Sequence, residues 1–417
     1  MSDKIYPRVF LNKNEEKEIL QGMPWVFDNE ISYIKHRKTE KEEWKNETVT
    51  QCSVPNGEAV EVFSKAGGFL GTGIFNKNSK ITVRIIGTEH ADVIFADTFA
   101  YYEKKVQDAY DLRRMYYNPG DSYRLIFGEA DLIPGLICER FCDENGKVII
   151  VIQFLSMSCD VFRKEILAAI KKICKPDAIF ERSDGAVREK EGLEDVVGFV
   201  NDNFEVVSTS STTTNGNSTT TINAVVVEPV ETTAKITIVE NGIKLGVDIV
   251  NGQKTGYFLD QKFNRAAASQ FCKGKRVLDT FTHTGAFGLN AFKAGAREVI
   301  SVDISPEAVE MVNHNIKLNN AQSKMTAVCA DVFDLLKQYE ANGEKFDVII
   351  LDPPAFTKSA KMIEKAYGGY KEINLRAMRL LTPGGILVTC SCSYFMETKM
   401  FCDVIMHAAP VIWQTGT

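Results

Sequence analysis

Two short motifs late in the 417-residue chain carry side chains that could do chemistry together. One apolar run ends in Asp352-Pro353-Pro354-Ala355-Phe356, and the next ends in Thr389-Cys390-Ser391-Cys392-Ser393. An acid-Pro-Pro turn at the mouth of a parallel sheet can hold a flat nitrogenous base. A cysteine at the neighbouring strand end can attack that base as a thiolate. The chemistry this pairing suits is methyl transfer to a pyrimidine carbon. C5 of cytosine is a poor nucleophile until a thiolate adds at C6 and makes C5 enamine-like. An acid at N3 assists the addition, and Asp352 is placed for that role. The base must leave its stack to enter such a pocket. Cys392 is the expected nucleophile. Cys390 would share its face in a regular strand and is the second candidate, although Ile386, Leu387 and Val388 beside it favour a core role. Acid-Pro-Pro-aromatic turns also serve methylation of exocyclic amines without a cysteine, so nitrogen methylation stays open. Cys392 favours carbon.

A nucleotide-binding half precedes these motifs. Arg276-Val277-Leu278-Asp279 reads as a buried strand that runs into a turn containing Phe281, Thr284 and Gly285, then a helix. Small residues there let a ligand approach the backbone at the strand's carboxyl end. Only Gly285 and Gly288 are present, so the loop is not G-x-G-x-x-G, and a pyrophosphate-cradling dinucleotide loop is disfavoured. The carboxylate of Asp279 would repel a pyrophosphate and suits a cationic ligand, the amino group and sulfonium of S-adenosylmethionine (SAM). Asp303 ends the second strand, where a carboxylate can accept both ribose hydroxyls. Asp331 and Val332 follow the third, placed to meet an adenine edge. Strand-end aspartates also cap helices, so the argument rests on three in register on one sheet edge.

The elements that must position these groups are legible as alternation. Strands are expected at Arg276–Asp279, Glu298–Asp303, Met325–Cys329, Phe346–Asp352 and Gly385–Ser391, with helices between them. Such β-α-β repetition with apolar strands predicts an open parallel sheet wound on both faces, spanning 235–417. Ser305-Pro306-Glu307 starts one helix with a cap, a proline and an early acid. Residues 1–92 read as short strands with glycine turns, a small β-barrel, among them Glu58–Phe63, Phe69–Phe75 and Ile81–Ile86. The charged stretch His36–Thr48 reads as an exposed, solvated loop. Residues 93–200 mix helices (Ile94–Tyr116, Val161–Cys174) with strands (Tyr123–Phe127, Lys147–Phe154), a connecting α+β domain. Residues 201–234 include a run of only Ser, Thr, Asn and Gly from Ser208 to Thr221, expected to be a disordered insertion.

Composition sets outer bounds. Hydrophobic residues make 44% and charged residues 25% of the chain, values of a soluble globular protein, and no apolar run is long enough to span a bilayer. The N-terminus has no apolar signal core, so a cytoplasmic protein is expected. Ten cysteines are scattered without paired C-x-x-C spacing, which disfavours zinc and any other structural metal. The net charge of −6 supplies no global field for nucleic acid, so an RNA partner needs a local basic face.

At these motifs the chain resembles a known family, the RlmI-type 23S ribosomal RNA cytosine-C5 methyltransferases. The resemblance covers nearly the whole chain. It is carried by Pro24-Trp25-Val26-Phe27, Asp121–Ile126, Glu181–Asp184, Val187–Gly192, Gly252–Gln261, Val277–Phe287, Phe346–Phe356 and Ser391-Cys392-Ser393. It implies a multidomain α/β protein: an N-terminal PUA-like β-barrel, a central α+β domain and a Rossmann-like class I methyltransferase domain. It implies SAM contacts from Lys254, Thr255, Gly256, Phe258, Asp260 and Gln261, from the loop after Asp279, and from Asp303, Asp331 and Asp352. It places the nucleophile at Cys392 and ribosomal RNA in the role of substrate, gripped partly by the PUA-like region. His283 stands where the family usually has Tyr, and Met23 where it often has His. The segment from Cys392 to Thr417 is too short for a helix, a strand and the closing hairpin of a full class I sheet. Met396–Ala408 can form a helix and Val411-Ile412-Trp413 a stub, so a shortened sheet is expected. That ending leaves open a catalytically inactive RNA-binding protein beside the enzyme.

Overall fold

The computed structural model describes residues 4–37, 39, 41–207, 235–252, 255–357 and 359–409. Of the disordered insertion expected over 201–234, residues 208–234 lie outside the described residues, as do Lys254 and the stub Val411–Trp413. Its first residues correct that boundary: Val206–Val207 pairs antiparallel with Phe199–Val200 and so joins the central sheet. The chain divides into two compact units, one formed by Met1–Ala234 with Ile249–Gly256, the other by Lys235–Asp248 with Tyr257–Thr417.

The first unit holds two sheets. The N-terminal sheet has seven strands, built on Arg8–Leu11, which lies between Ile31–His36 (antiparallel) and Ala59–Phe63 (parallel). Alternation along Arg8–Leu11 buries Val9 and Leu11 completely, against Ile34, Val60 and Val62, and turns Arg8 and Phe10 to the other face. The expectation of a wholly exposed loop over His36–Thr48 is corrected. Lys45–Glu47 pairs antiparallel with Ile34–His36 as an edge strand, which folds Trp44 back onto the cations of the sheet. The second sheet has six strands and packs on the helices Thr98–Arg114 and Arg163–Cys174. The helix expected from Ile94 to Tyr116 is divided. A short turn, Ala91–Ile94, precedes Asp97, whose carboxylate accepts from the Ala100 amide (2.9 Å) and starts the long helix afresh. Within this unit, Glu191 is 3% exposed and accepts from Ser79 (2.6 Å), Arg84 (2.9 Å) and the Met157 amide (3.2 Å). The Val187–Gly192 motif therefore ties the barrel to the central layer.

The second unit opens with a hairpin, Lys235–Glu240 against Ile243–Asp248. Its turn is Asn241-Gly242, with φ of 50° and 71°, the left-handed pair that a type I′ turn requires. A five-stranded, all-parallel sheet follows, ordered Met325–Cys329, Glu298–Asp303, Arg276–Thr280, Phe346–Leu351, Leu381–Thr389. This is the doubly wound arrangement, with the order reversing between Arg276–Thr280 and Phe346–Leu351. Ligands bind beyond the carboxyl ends of the strands at such a reversal. The last strand begins four residues before the expected Gly385, because Leu381 pairs with Phe346 before a bulge at Thr382–Gly385. Its assigned span ends at Thr389, the Cys390 amide adds a last rung to the Leu351 carbonyl (2.8 Å), and Cys392 stands beyond the ladder. The final helix runs Thr398–Ala408.

Candidate active site

Asp279 ends its strand with a fully buried carboxylate. Its Oδ2 accepts from Thr282 Oγ1 (2.5 Å), the Gly288 amide (2.9 Å) and Ser301 Oγ (3.0 Å). Its Oδ1 is buried without a partner among the described residues. Burial pushes the carboxyl up to about 6, against the pull of those hydrogen bonds. The following loop is wound tightly. Phe281 and His283 both take left-handed φ (56° and 53°), and Gly285 a third (80°). Two non-glycine residues in that region store backbone strain, which concentrates at functional sites. The His283 amide donates to Asp303 Oδ2 (2.9 Å), and the Ser305 amide donates to Asp303 Oδ1 (3.0 Å). One lone pair on each oxygen stays open for a ligand. Buried Asn315 holds the loop from behind, donating to the Thr284 carbonyl (2.8 Å) and accepting the Gly246 amide of the hairpin (2.7 Å). Asp331 caps the helix Val332–Ala341 through Oδ1, accepting from the Phe333 (2.8 Å) and Asp334 (3.3 Å) amides, while Val332 is buried.

A buried ion pair stands beside this loop. Arg265 donates twice to Glu240 (2.6 and 2.8 Å) and once to the Phe258 carbonyl (2.9 Å), and Tyr257 donates to the same Glu240 (2.9 Å). Both charges are 3% exposed or less, so the pair is held by near-complete hydrogen bonding. It fixes the backbone where Phe258 turns its ring edge-on to His283, 5.2 Å between centroids. Burial lowers the His283 pKa, with the Asp303 carboxylate opposing and the Arg265 charge adding to the effect. Asp260 is exposed, and Gln261 accepts from Asn264 (2.6 Å). Thr255 is buried and Gly256 takes a φ of 102°.

On the other side of the strand reversal, Asp352 is pushed up to about 6 by burial, with the Arg265 charge pulling down and Asp260 pushing up. Burial raises the Cys390 thiol to about 12, and the neighbouring Asp352 carboxylate adds to the rise. Cys390 is half-buried, with the Asp352 carboxylate near its thiol. Cys392 is exposed, with its Sγ 3.6 Å from the Pro353 carbonyl. Around it, Tyr370, fully buried, receives a hydrogen bond from Ser391 Oγ (3.0 Å) and shares one with Ser393 Oγ (2.9 Å). Ser393 Oγ in turn accepts the Phe356 amide (3.1 Å). These hydroxyls hold the Cys392 segment against the Asp352–Phe356 turn.

Family models match in two places, a PUA-like domain over residues 9–88 and an S-adenosylmethionine-dependent methyltransferase over 216–413. A ribosomal RNA large subunit methyltransferase I from Klebsiella pneumoniae is 35% identical over 412 residues, covering 98% of this chain and 90% of the relative. The chain belongs to the ribosomal RNA large subunit methyltransferase I family. A member from Shewanella frigidimarina is 37% identical over 404 residues, 96% of this chain and 89% of its own. Among solved structures, a candidate methyltransferase complexed with SAH superposes with a TM-score of 0.71 at 19% identity, covering 96% of this chain and 90% of that one. A candidate SAM-dependent methyltransferase from Streptococcus mutans gives 0.69 at 20%, with the same coverage. These two carry the fold only.

The cofactor of this family is SAM, and the residues present fit it. The unpartnered Oδ1 of Asp279 is a buried anion short of one donor, which an ammonium group would supply. Gly288 lets the helix backbone approach the other oxygen, Oδ2, to which its amide donates, since a Cβ there would stand 2.4 Å from Ser301 Oγ and 2.9 Å from Asp279 Oδ2. Among the described residues no cluster of three or more His, Cys, Asp or Glu is placed to hold a metal, and no helix is long and apolar enough to cross a membrane.

Sequence reasoning did not find Gly288, Asn315, Tyr370 or the Glu240–Arg265 pair as site residues. Gly288 was within reach, three residues after Gly285 and so on the same helical face. The hairpin was within reach too, since Asn-Gly between alternating apolar residues is a strong turn signal. Nothing in a single sequence marks one mid-helix tyrosine or one Arg–Glu pair among many.

Proposed function

We propose that this protein methylates C5 of a cytosine in large-subunit ribosomal RNA through a covalent Cys392–C6 adduct. The observation that carries the reading is the exposed Cys392 thiol, pinned by Ser391, Ser393 and Tyr370 beside an acid that takes up a proton near pH 6. The named activity of the relatives, on large-subunit ribosomal RNA, supports the substrate class.

In this reading Asp279 accepts the amino group of SAM, Asp303 the ribose hydroxyls, and Asp331 with Val332 borders the adenine. Further cofactor contacts fall to Lys254, Thr255, Gly256, Phe258, Asp260 and Gln261, as the resemblance implies. Cofactor bound there supplies an electrophilic methyl group. Asp352 in its protonated form donates to N3 of the flipped cytosine, drawing electrons from C6. The Cys392 thiolate forms the S–C6 bond, and the displaced electron pair moves to C5. That pair at C5 would take the methyl carbon, whose bond to the sulfonium sulfur would break with its electrons staying on sulfur, so that the cofactor would leave as S-adenosylhomocysteine. A base removes the C5 proton, and the electrons left behind restore the C5–C6 double bond and expel the thiolate. Tyr370 and the two serines keep Sγ aimed throughout.

The test uses ribosomal RNA carrying 5-fluorocytosine, whose C5 cannot lose a proton, with SAM and denaturing gels. Wild type and Cys390→Ala should trap an adduct, and Cys392→Ala should not. An adduct that survives in Cys392→Ala and is lost in Cys390→Ala assigns the nucleophile to Cys390 and sinks the assignment. Methyl transfer by wild type without any adduct would mean nitrogen methylation. Failure to bind SAM would mean a binding protein without this activity.

A further inference from the structure

We infer that the outer face of the N-terminal sheet is a binding platform for single-stranded RNA, with Trp44, Phe10, Tyr33 and Phe63 as stacking surfaces and Arg8 and Lys35 as phosphate contacts. The inference rests on the proposed RNA substrate and goes beyond it in naming where the RNA lies.

The face follows from register. Arg8 lies opposite Lys35, and Phe10 opposite Tyr33, on the antiparallel side, while Phe10 lies opposite Phe63 on the parallel side. The pleat therefore lines up an aromatic row and a cationic row on one surface. Phe10 stacks with Tyr33 at 4.8 Å and with Phe63 at 5.3 Å between centroids. All three rings are partly exposed, whereas their neighbours Val9, Ile34 and Val62 on the opposite face are fully buried. The row could have joined the core by a one-residue shift, so its place outside is a feature of the register.

Cations converge on the same surface. The Arg8 guanidinium sits 5.1 Å from the Trp44 ring and 5.6 Å from Phe63, Arg37 sits 4.9 Å from Trp44, and the Lys35 ammonium 5.6 Å from it. Among the described residues, neither Arg8 nor Lys35 pairs with a carboxylate. Several like charges around one indole repel one another, and a polyanion relieves that repulsion. The chain as a whole is at −6, so this local cluster departs from the average field. Aromatic faces interleaved with cations are the chemistry that holds unpaired bases and their backbone without reading sequence. A duplex would hide its base faces and could use only the charges.

The test uses full-length protein and a fluorescein-labelled single-stranded RNA of roughly 12 nucleotides, a length within the range of such sites. Trp44→Ala should weaken binding roughly 5- to 150-fold, the effect of losing one stacked base. Arg8→Gln with Lys35→Gln leaves the rings in place and should lower the slope of log affinity against log salt by about 1.4, two phosphates at about 0.7 each. Both should lower kcat/KM on ribosomal RNA while the SAM Kd stays put, which a merely unfolded barrel would not reproduce in the charge variant. Wild-type affinity and salt slope in both variants overturns the platform. If wild type methylates ribosomal RNA in that case, the function stands and only the platform falls. If wild type methylates no RNA, the functional reading itself falls.

Discussion

Replacing Asp279 by asparagine should make the cofactor site more stable with rising pH, relative to wild type, and at the same time weaken it as a binding site. The carboxyl has a native pKa of about 6 against an ordinary 3.8, because it is fully buried. A rise of about two units corresponds to about 3 kcal/mol. The sign follows from proton uptake. At low pH both native and unfolded chains hold the proton, and the shift has no effect. Between 3.8 and about 6 the native state keeps a proton that the unfolded state has released, so stability falls as pH rises. Above that window the whole cost is present. Asparagine does not titrate, so the opening free energy of Asp279→Asn minus that of wild type should grow by about 3 kcal/mol from about pH 4 to about pH 7. The amide NH2 that replaces Oδ1 adds an offset of about 1–3 kcal/mol of the opposite sign, constant with pH. Amide hydrogen exchange across the helix Ala286–Lys293 reads this locally, and the Gly288 amide reports directly because it donates to Asp279. Calorimetry should show SAM affinity falling roughly 10- to 150-fold, the loss of one charge-assisted hydrogen bond. A difference in opening free energy that stays flat across the pH range refutes the argument, since it would mean the buried carboxylate is not being charged at a cost.

Other perturbations test other parts of the site. Gly288→Ala places a methyl 2.4 Å from Ser301 Oγ, and should destabilise by about 1–3 kcal/mol in chemical denaturation and reduce SAM affinity. Tyr370→Phe removes the partner of both Ser391 and Ser393, and should lower kcat at least tenfold with little change in SAM Kd, as single-turnover kinetics would show. Arg265→Met leaves Glu240 buried without its cation and should cost about 3–5 kcal/mol in thermal or urea unfolding, with Glu240→Gln in the same background recovering part of it.

Much of the second unit was legible because its strands are short apolar runs bounded by polar turns. Glu298–Asp303 and Met325–Cys329 fall where expected, and Arg276–Thr280 and Phe346–Leu351 agree to within one residue at one end. The start of Leu381–Thr389 was not legible, because Pro383, Gly384 and Gly385 signal a turn while Leu381 still finds a backbone partner in Phe346. The edge strand Lys45–Glu47 was hidden by its charge, which is what an edge strand facing water carries. The acids at the strand ends could be named from position alone. Their environments could not: that Asp279 would leave one oxygen unpartnered and that Cys390 would come to lie near Asp352 depend on groups brought in from distant parts of the chain.

The strand order also sets an order of assembly during synthesis. The first three strands of the parallel sheet pair with their sequence neighbours, so the cofactor half closes as each emerges. The strand Arg276–Thr280 then waits with one edge open, because its second partner, Phe346–Leu351, lies 70 residues on, as the bond from Thr280 Oγ1 to the Ile350 carbonyl measures. An apolar strand with an unpaired edge is a template for wrong pairing. That edge stays open until Phe346–Leu351 emerges and pairs with it, and Leu381–Thr389 then covers the edge that Phe346–Leu351 would otherwise expose.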